Sequence, residues 1–402
     1  VQDLRAWLKE HRRLRCSLER RDRVDEREKA LPKVENGQAK IHPLTSIRFF
    51  AALYVLFFHT SWGIPKGSLA ERFVSAGFVS VEFFFLLSGF ILAGAYLDKG
   101  RPIVARSFYL ARFARIYPLF ILSVLADTPF VILARSGAYG LKVAAGRVAA
   151  LVSVSVVMMQ MWLPVLKIVN IPSWSLSIES FFYLVFPILG ILLYRLGRRA
   201  VVGMMLALYV SSVALSRHME IAYPDHRYGL DLLSYTAIFS IGVLTARWDF
   251  LRRKDTSQPV SNRNSWLVLF LCAASFLGLV YLSPRIKELN LNLGLLLAPV
   301  FAATVWALAS TQTVLRRLLS VQWLVVLGEA SYGLYLLHVP VLHCLQHFHL
   351  AGSPIYYPLY LSLSIGLSIF SFYCIEIPSR HWIKKRFHFV NRESLEVSSD
   401  AQ

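Results

Sequence analysis

From position 44 onward the chain is built of long apolar runs separated by short basic clusters. Runs of spanning length occupy residues 44–63, 74–97, 116–134, 147–165, 174–194, 200–216, 229–246, 265–283, 292–313, 321–343 and 355–376. A helix needs about 20 apolar residues to cross a ~30 Å hydrocarbon core, so the pattern predicts an all-α polytopic membrane protein. The first 40 residues differ, carrying 12 Lys or Arg and 8 Asp or Glu. That mixture predicts a partly helical cytoplasmic tail. The first apolar run is long enough to stay in the bilayer, so a cleaved leader is not expected.

The eleven runs need not all cross. If the run at 147–165 lies at the outer surface or re-enters, 32 of the 43 Lys and Arg fall on one side. Those loops are 1–43, 98–115, 195–199, 246–263, 316–317 and 377–402; ten basic residues fall on the other side, and Arg48 lies inside the first run. If that run crosses, the clusters RLGRR, RWDFLRRK and RHWIKKRF move outward, against the positive-inside rule. The expectation is therefore about ten transmembrane helices with both termini cytoplasmic. A single membrane domain, 44–376, lies between the charged tail 1–43 and a basic tail 377–402. No 20- to 50-residue repeat is visible.

Composition agrees: of 402 residues, 56% are hydrophobic and 17% charged, where a soluble domain has about a quarter charged. The net charge of +19 would suggest a polyanion partner, but the position of the clusters between runs assigns it to orientation, and nucleic acid is not expected. Cys16, Cys272, Cys344 and Cys374 have neither CxxC spacing nor neighbouring His ligands, so free thiols and no metal are expected.

Ionisable residues inside apolar runs are costly and mark candidate chemistry. In LTSIRFFAALYVLFFHT, Arg48 and His59 are eleven residues apart. That is about 20° past three helical turns and about 16 Å along the axis, so they share a face. Arg48 can snorkel and His59 can bond a neighbouring helix; a histidine in a protein-lined cavity is also the natural general base for a hydroxyl. In ARFARIYP, Arg112 and Arg115 stand three apart, at the expected cytoplasmic mouth of the third span. They read as topological anchors or as a bidentate grip on phosphate.

In IPSWSLSIESFFYLVFP, Glu179 and Tyr183 share a face and Trp174 begins the span. The carboxylate serves an interhelical bond, orients the imidazole, or binds acceptor hydroxyls. VSVEFFFLLSGFILA contributes Glu82, Ser88 and Gly89, and GEASYGLYLLHVP contributes Ser331, Tyr335 and His338. Ser88 and Gly89 read first as close packing, and Ser88 lacks the context of an esterase nucleophile. His343, His347 and His349 fall at a span end or in an outer loop, where interfacial roles are expected.

Taken in order, these stretches resemble the acyltransferase-3 family of membrane-bound O-acyltransferases, over about Leu44 to Phe387. Arg48 with His59, Arg112 and Arg115 before Tyr-Pro, WSLSIESFFYLVFP, FFFLLSGF, SYGLYLLH and IEIPSRHW match six of its signatures. Glu82 stands where the family often has Asp, and these 402 residues contain no periplasmic hydrolase-like domain of the kind fused to some members. The resemblance implies transfer of an acyl group, acetyl from acetyl-coenzyme A, to a carbohydrate hydroxyl in a bacterial cytoplasmic (inner) membrane. The coenzyme is a co-substrate, not a bound cofactor, and the partners are the donor, a carbohydrate acceptor and membrane lipids. It implies His59 and Glu179 as catalytic residues, with Arg48, Arg112, Arg115, Trp174, Tyr335 and His338 on the substrates. A transporter or flippase for lipid-linked sugars would share the polytopic form, and predicts repeats and broken helices.

Overall fold

The computed structural model describes residues 42–60, 64–98, 103–162, 168–222, 231–255, 262–310, 313–350, 353 and 355–387; the tail at 1–41 and the last 15 residues of the basic tail lie outside them. The described residues form fifteen α-helices and no strand. They are α1 His42–His59, α2 Leu69–Ser75, α3 Ser80–Tyr96, α4 Ala105–Tyr139, α5 Leu141–Val156, α6 Trp174–Tyr194, α7 Arg198–Ala222, α8 Asp231–Asp255, α9 Asn262–Tyr281, α10 Ser283–Glu288, α11 Leu293–Leu296, α12 Ala298–Ser310, α13 Val314–Leu319, α14 Gln322–His347 and α15 Tyr356–Ser371. A π-turn over Phe372–Glu376 carries the last helix on to residue 387.

Among the described residues, seven helical segments are long and apolar enough to cross a membrane. The other three expected spans correspond to α1, α8 and the short α12. Each carries part of the buried core: Ala52, Val55 and Leu56 on α1, Ile238, Phe239 and Leu244 on α8, and Val305 and Ala307 on α12. A helix that meets protein rather than lipid has less need of a fully apolar surface. Of the run at 147–165, residues 147–156 belong to α5, whose 16 residues reach about 24 Å, short of the hydrocarbon core; residues 163–165 lie outside the described residues. Helix α5 folds back along α4, where Tyr117 donates to the carbonyl of Val156 at 3.0 Å.

The third span is longer than its apolar core at 116–134. The 35 residues of α4 measure about 52 Å. Arg112 and Arg115 lie two to three turns inside this helix.

Three helices run parallel and frame the interior. Tyr332 of α14 donates to the carbonyl of Ile116 on α4 (2.8 Å), close to Pro118, which lies inside that helix. Further along the same pair, His343 meets Asp127. Beside α14, α1 runs the same way, with Thr45 against Gly328 and His59 against His338. At Gly328 the backbones touch: an added Cβ would collide with the Thr45 carbonyl oxygen. Gly89 of α3 packs equally tightly on the backbone of α8 at Phe239, the close-packing role expected of it.

Pro340 lies inside α14 and removes the donor that would satisfy the carbonyl of Leu336. Asn170, before α6, supplies a replacement: its Nδ2 donates to that oxygen at 2.9 Å and to Ser123 of α4 at 3.1 Å. A proline is tolerated in a membrane helix when a neighbour satisfies the freed carbonyl.

Candidate active site

Inside the bundle, a cavity of about 80 Å³ is lined by Arg48, Arg112, Arg115, Glu179 and Tyr335, with Ser88 and Tyr183 beside them. It has room for several water molecules. The cavity brings together five of the eight residues singled out above, drawn from α1, α4, α6 and α14. Leu184, Ile188 and Leu192 give α6 an exposed apolar face just beyond it, so the arginines sit at the depth of an apolar exterior rather than in open water.

Glu179 is fixed by two donors. The Tyr183 phenol, one turn along α6, donates to its Oε1 at 2.5 Å, and the Ser88 hydroxyl of α3 donates to the same oxygen at 3.1 Å. Arg112 donates to the Tyr96 hydroxyl at 3.2 Å, and its guanidinium lies 5.6 Å over the Tyr96 ring and 5.9 Å over that of Tyr183. These cation–π contacts hold the fork without consuming all its donors. Arg48 and Arg115 are within electrostatic reach of Glu179, Glu329 and Glu376. The π-turn presents Glu376 at this end of the bundle, where its carboxylate accepts from Arg380 at 2.6 Å. Such turns re-aim side chains and recur at functional sites. At the opposite wall, Tyr335 donates to the Pro172 carbonyl (3.1 Å) and shares a 2.7 Å bond with Ser175.

His59 stands outside this lining, at the far end of α1. Its neighbour is His338 rather than Glu179: His338 Nε2 is 3.3 Å from His59 Nδ1, and the ring centroids are 5.1 Å apart. His338 is fully buried, while His59 is half-buried. Trp174 lines neither place. It packs edge-on against Phe85 and beside Tyr235, so the structure gives it a role in packing α6 on α3 and α8.

Spacing alone gives Ser88 a packing role, although its hydroxyl reaches Glu179. It also gives His343 an interfacial role and does not single out Asp127, yet His343 Nδ1 bonds Asp127 Oδ1 at 2.7 Å. A signal for that pair exists in the chain: Asp127 is a lone carboxylate in an apolar run, the same feature that marks Glu179.

The acyltransferase domain of the acyltransferase-3 family matches residues 42–373. The acyltransferase MdmB of Streptomyces mycarofaciens is 38% identical over 169 residues, which is 40% of this chain and 41% of the relative. YrhL of Bacillus subtilis (strain 168), provisionally named a peptidoglycan O-acetyltransferase, is 26% identical over 84% of this chain and 54% of the relative. A provisionally named O-acetyltransferase of Staphylococcus aureus (strain COL) is 26% identical over 84% of this chain and 57% of its own length. The chain thus spans about half the length of the curated relatives it matches. No solved structure matches it. With helices and no strand among the described residues, seven of them long and apolar enough to cross a membrane, and a family match over most of its length, this chain belongs to the acyltransferase-3 family.

Proposed function

We propose that the chain is an O-acetyltransferase of a bacterial cytoplasmic membrane, moving acetyl from acetyl-coenzyme A to a carbohydrate hydroxyl. The observation that carries this reading is one of alignment. The arginine cavity and the His59–His338 pair lie along the same three parallel helices, α1, α4 and α14. Arg48, Arg112 and Arg115 grip the donor's phosphates, for which guanidinium forks are suited. The pantetheine arm then extends between the helices and delivers the thioester to His59, about 16 Å along α1 from Arg48.

The acceptor oxygen attacks the thioester carbonyl carbon while His59 Nε2 takes its proton. The new C–O bond forms as the C–S bond breaks, and the proton passes to the leaving thiolate, giving the ester and free coenzyme A. His338 accepts a hydrogen bond from His59 Nδ1–H, which leaves Nε2 as the basic nitrogen and supports the imidazolium that forms. Glu179, tied to Ser88 and Tyr183, sets the charge balance among the arginines. The names of the Bacillus and Staphylococcus relatives favour an O-acetyl product. Helix α14 runs on past His338, and α1 is continuous up to His59, its last residue, unlike the unwound helices of many transport sites.

The test uses the full chain in nanodiscs with acetyl-coenzyme A and glycoside acceptors, measuring thiol release and ester formation together. Acceptor-dependent release that disappears in His59→Ala supports the reading. A well-folded protein that binds the donor yet forms no ester with any carbohydrate refutes it.

A further inference from the structure

Beyond His59, on the side away from the arginines, the same helices carry a second polar pair. Asp127 of α4 is fully buried, and its Oδ1 accepts from His343 Nδ1 of α14 at 2.7 Å. The carboxylate fixes the tautomer, so His343 Nε2 is left as a hydrogen-bond acceptor. That side chain is 27% exposed, which gives it access the carboxylate lacks. His343 is five residues beyond His338, about 7.5 Å along α14, and within electrostatic reach of both His338 and His59.

Two buried oxygens on this side have no donor among the described residues: Asp127 Oδ2 and Asn170 Oδ1. Asn170 bonds Ser123, one turn before Asp127 on the same face of α4. Buried acceptors are satisfied in the great majority of cases, so these two call for a donor from outside the chain, a water or a ligand hydroxyl. A carbohydrate presents several adjacent hydroxyls, each able to donate, and an imidazole Nε2 whose Nδ1–H is held by a carboxylate is a good acceptor for one of them.

We propose that His343, held by Asp127, binds the acceptor, taking a hydrogen bond through Nε2 from a sugar hydroxyl adjacent to the one that reacts at His59. This inference rests on the O-acetyltransferase reading and adds where and how the carbohydrate is held. His343 touches the acceptor through Nε2, and the buried Asp127 acts through it, holding the imidazole in the tautomer that leaves Nε2 open. The donor enters from the arginine end and the acceptor from the opposite one, so the two substrates meet at the histidine pair without sharing a path.

The test measures acetyl transfer by the full chain in nanodiscs to methyl α-D-glucopyranoside, methyl α-D-mannopyranoside and methyl N-acetyl-β-D-glucosaminide. Asp127→Asn and His343→Ala are each expected to raise the acceptor KM about tenfold, the loss of one good hydrogen bond. His343→Gln, which keeps an acceptor atom, should recover part of the loss. Donor KM, kcat at saturating acceptor and Tm should stay near the parent's. An acceptor KM unchanged in both Asp127→Asn and His343→Ala overturns the proposal. So does a joint loss of donor affinity and thermal stability, which would make the pair a tie between α4 and α14. A parent enzyme that binds donor but acetylates none of the three glycosides would instead overturn the O-acetyltransferase reading on which the proposal stands.

Discussion

His338 Nε2 faces His59 Nδ1 at 3.3 Å, and each ring also places its Nδ1 against the carbonyl one turn back in its own helix, Leu334 at 3.0 Å and Val55 at 2.9 Å. A carbonyl only accepts, so both rings carry their proton on Nδ1. His338 then offers a lone pair to His59, and the Nε2 of His59 is left as the free base. Two residues 279 positions apart thereby fix which nitrogen of His59 keeps its lone pair.

His59→Ala should lower kcat and kcat/KM together by about 100- to 10,000-fold, the loss typical of a general base. His338→Ala should cost about 10- to 100-fold, as for other groups that orient a reacting imidazole. Donor affinity should be unchanged in both. Steady-state kinetics with a coenzyme A-release assay reads these values, and a His59→Ala enzyme working at the parent's rate would remove the histidine from the mechanism.

Arg115→Ala should weaken donor binding by roughly 1.5 to 3 kcal/mol, one charge-assisted phosphate contact. Arg115→Lys should fall between, because a point charge cannot reproduce the fork. Arg112→Ala should lose both the phosphate contact and its stacking on Tyr96 and Tyr183. Arg48→Ala should likewise act first on donor affinity. Calorimetric titration with coenzyme A measures all four; parent-like binding in the alanine variants would reduce these arginines to topology.

Gly328→Ala should destabilise the fold by about 1 to 3 kcal/mol, because the added methyl meets the Thr45 carbonyl at the α1–α14 crossing. Forcing these helices apart also separates His59 from His338, so turnover should fall with Tm. Gly146, around which nothing lies within contact distance, is the control: its alanine variant should keep both. Thermal unfolding in detergent, paired with the kinetic assay, compares the two.

A reporter or cysteine label at residue 197, between α6 and α7, should report the cytoplasm, and one at residue 140, between α4 and α5, the outer side. The parallel course of α1, α4 and α14 fits the ten-span count, in which the first, third and ninth spans run the same way. Residue 197 found outside would mean that α5 crosses the membrane.

Much of this architecture is legible in the amino-acid sequence, because lipid imposes a rule that acts locally. Every spanning helix must satisfy its own backbone and show enough apolar surface, so run length, basic clusters and buried charges can be read one segment at a time. That local rule is why Arg48, Arg112, Arg115 and Glu179 stand out from the apolar runs that hold them. It is also why α1 can fall short by hydropathy, and α12, apolar but only 13 residues long, by length: neighbours help to cover both.

What the tertiary structure alone decided is which groups meet. Helix periodicity puts Arg48 and His59 on one face, but it cannot say that the first faces Glu179's cavity while the second faces His338. Nor can it pair Asp127 with His343, or assign the carbonyl freed by Pro340 to Asn170. Those contacts depend on the crossing of α1, α4 and α14, and the crossing depends on where backbones can approach, as at Gly328. Sequence spacing determines the face on which a side chain stands; only the packing of one helix on another determines what that face touches.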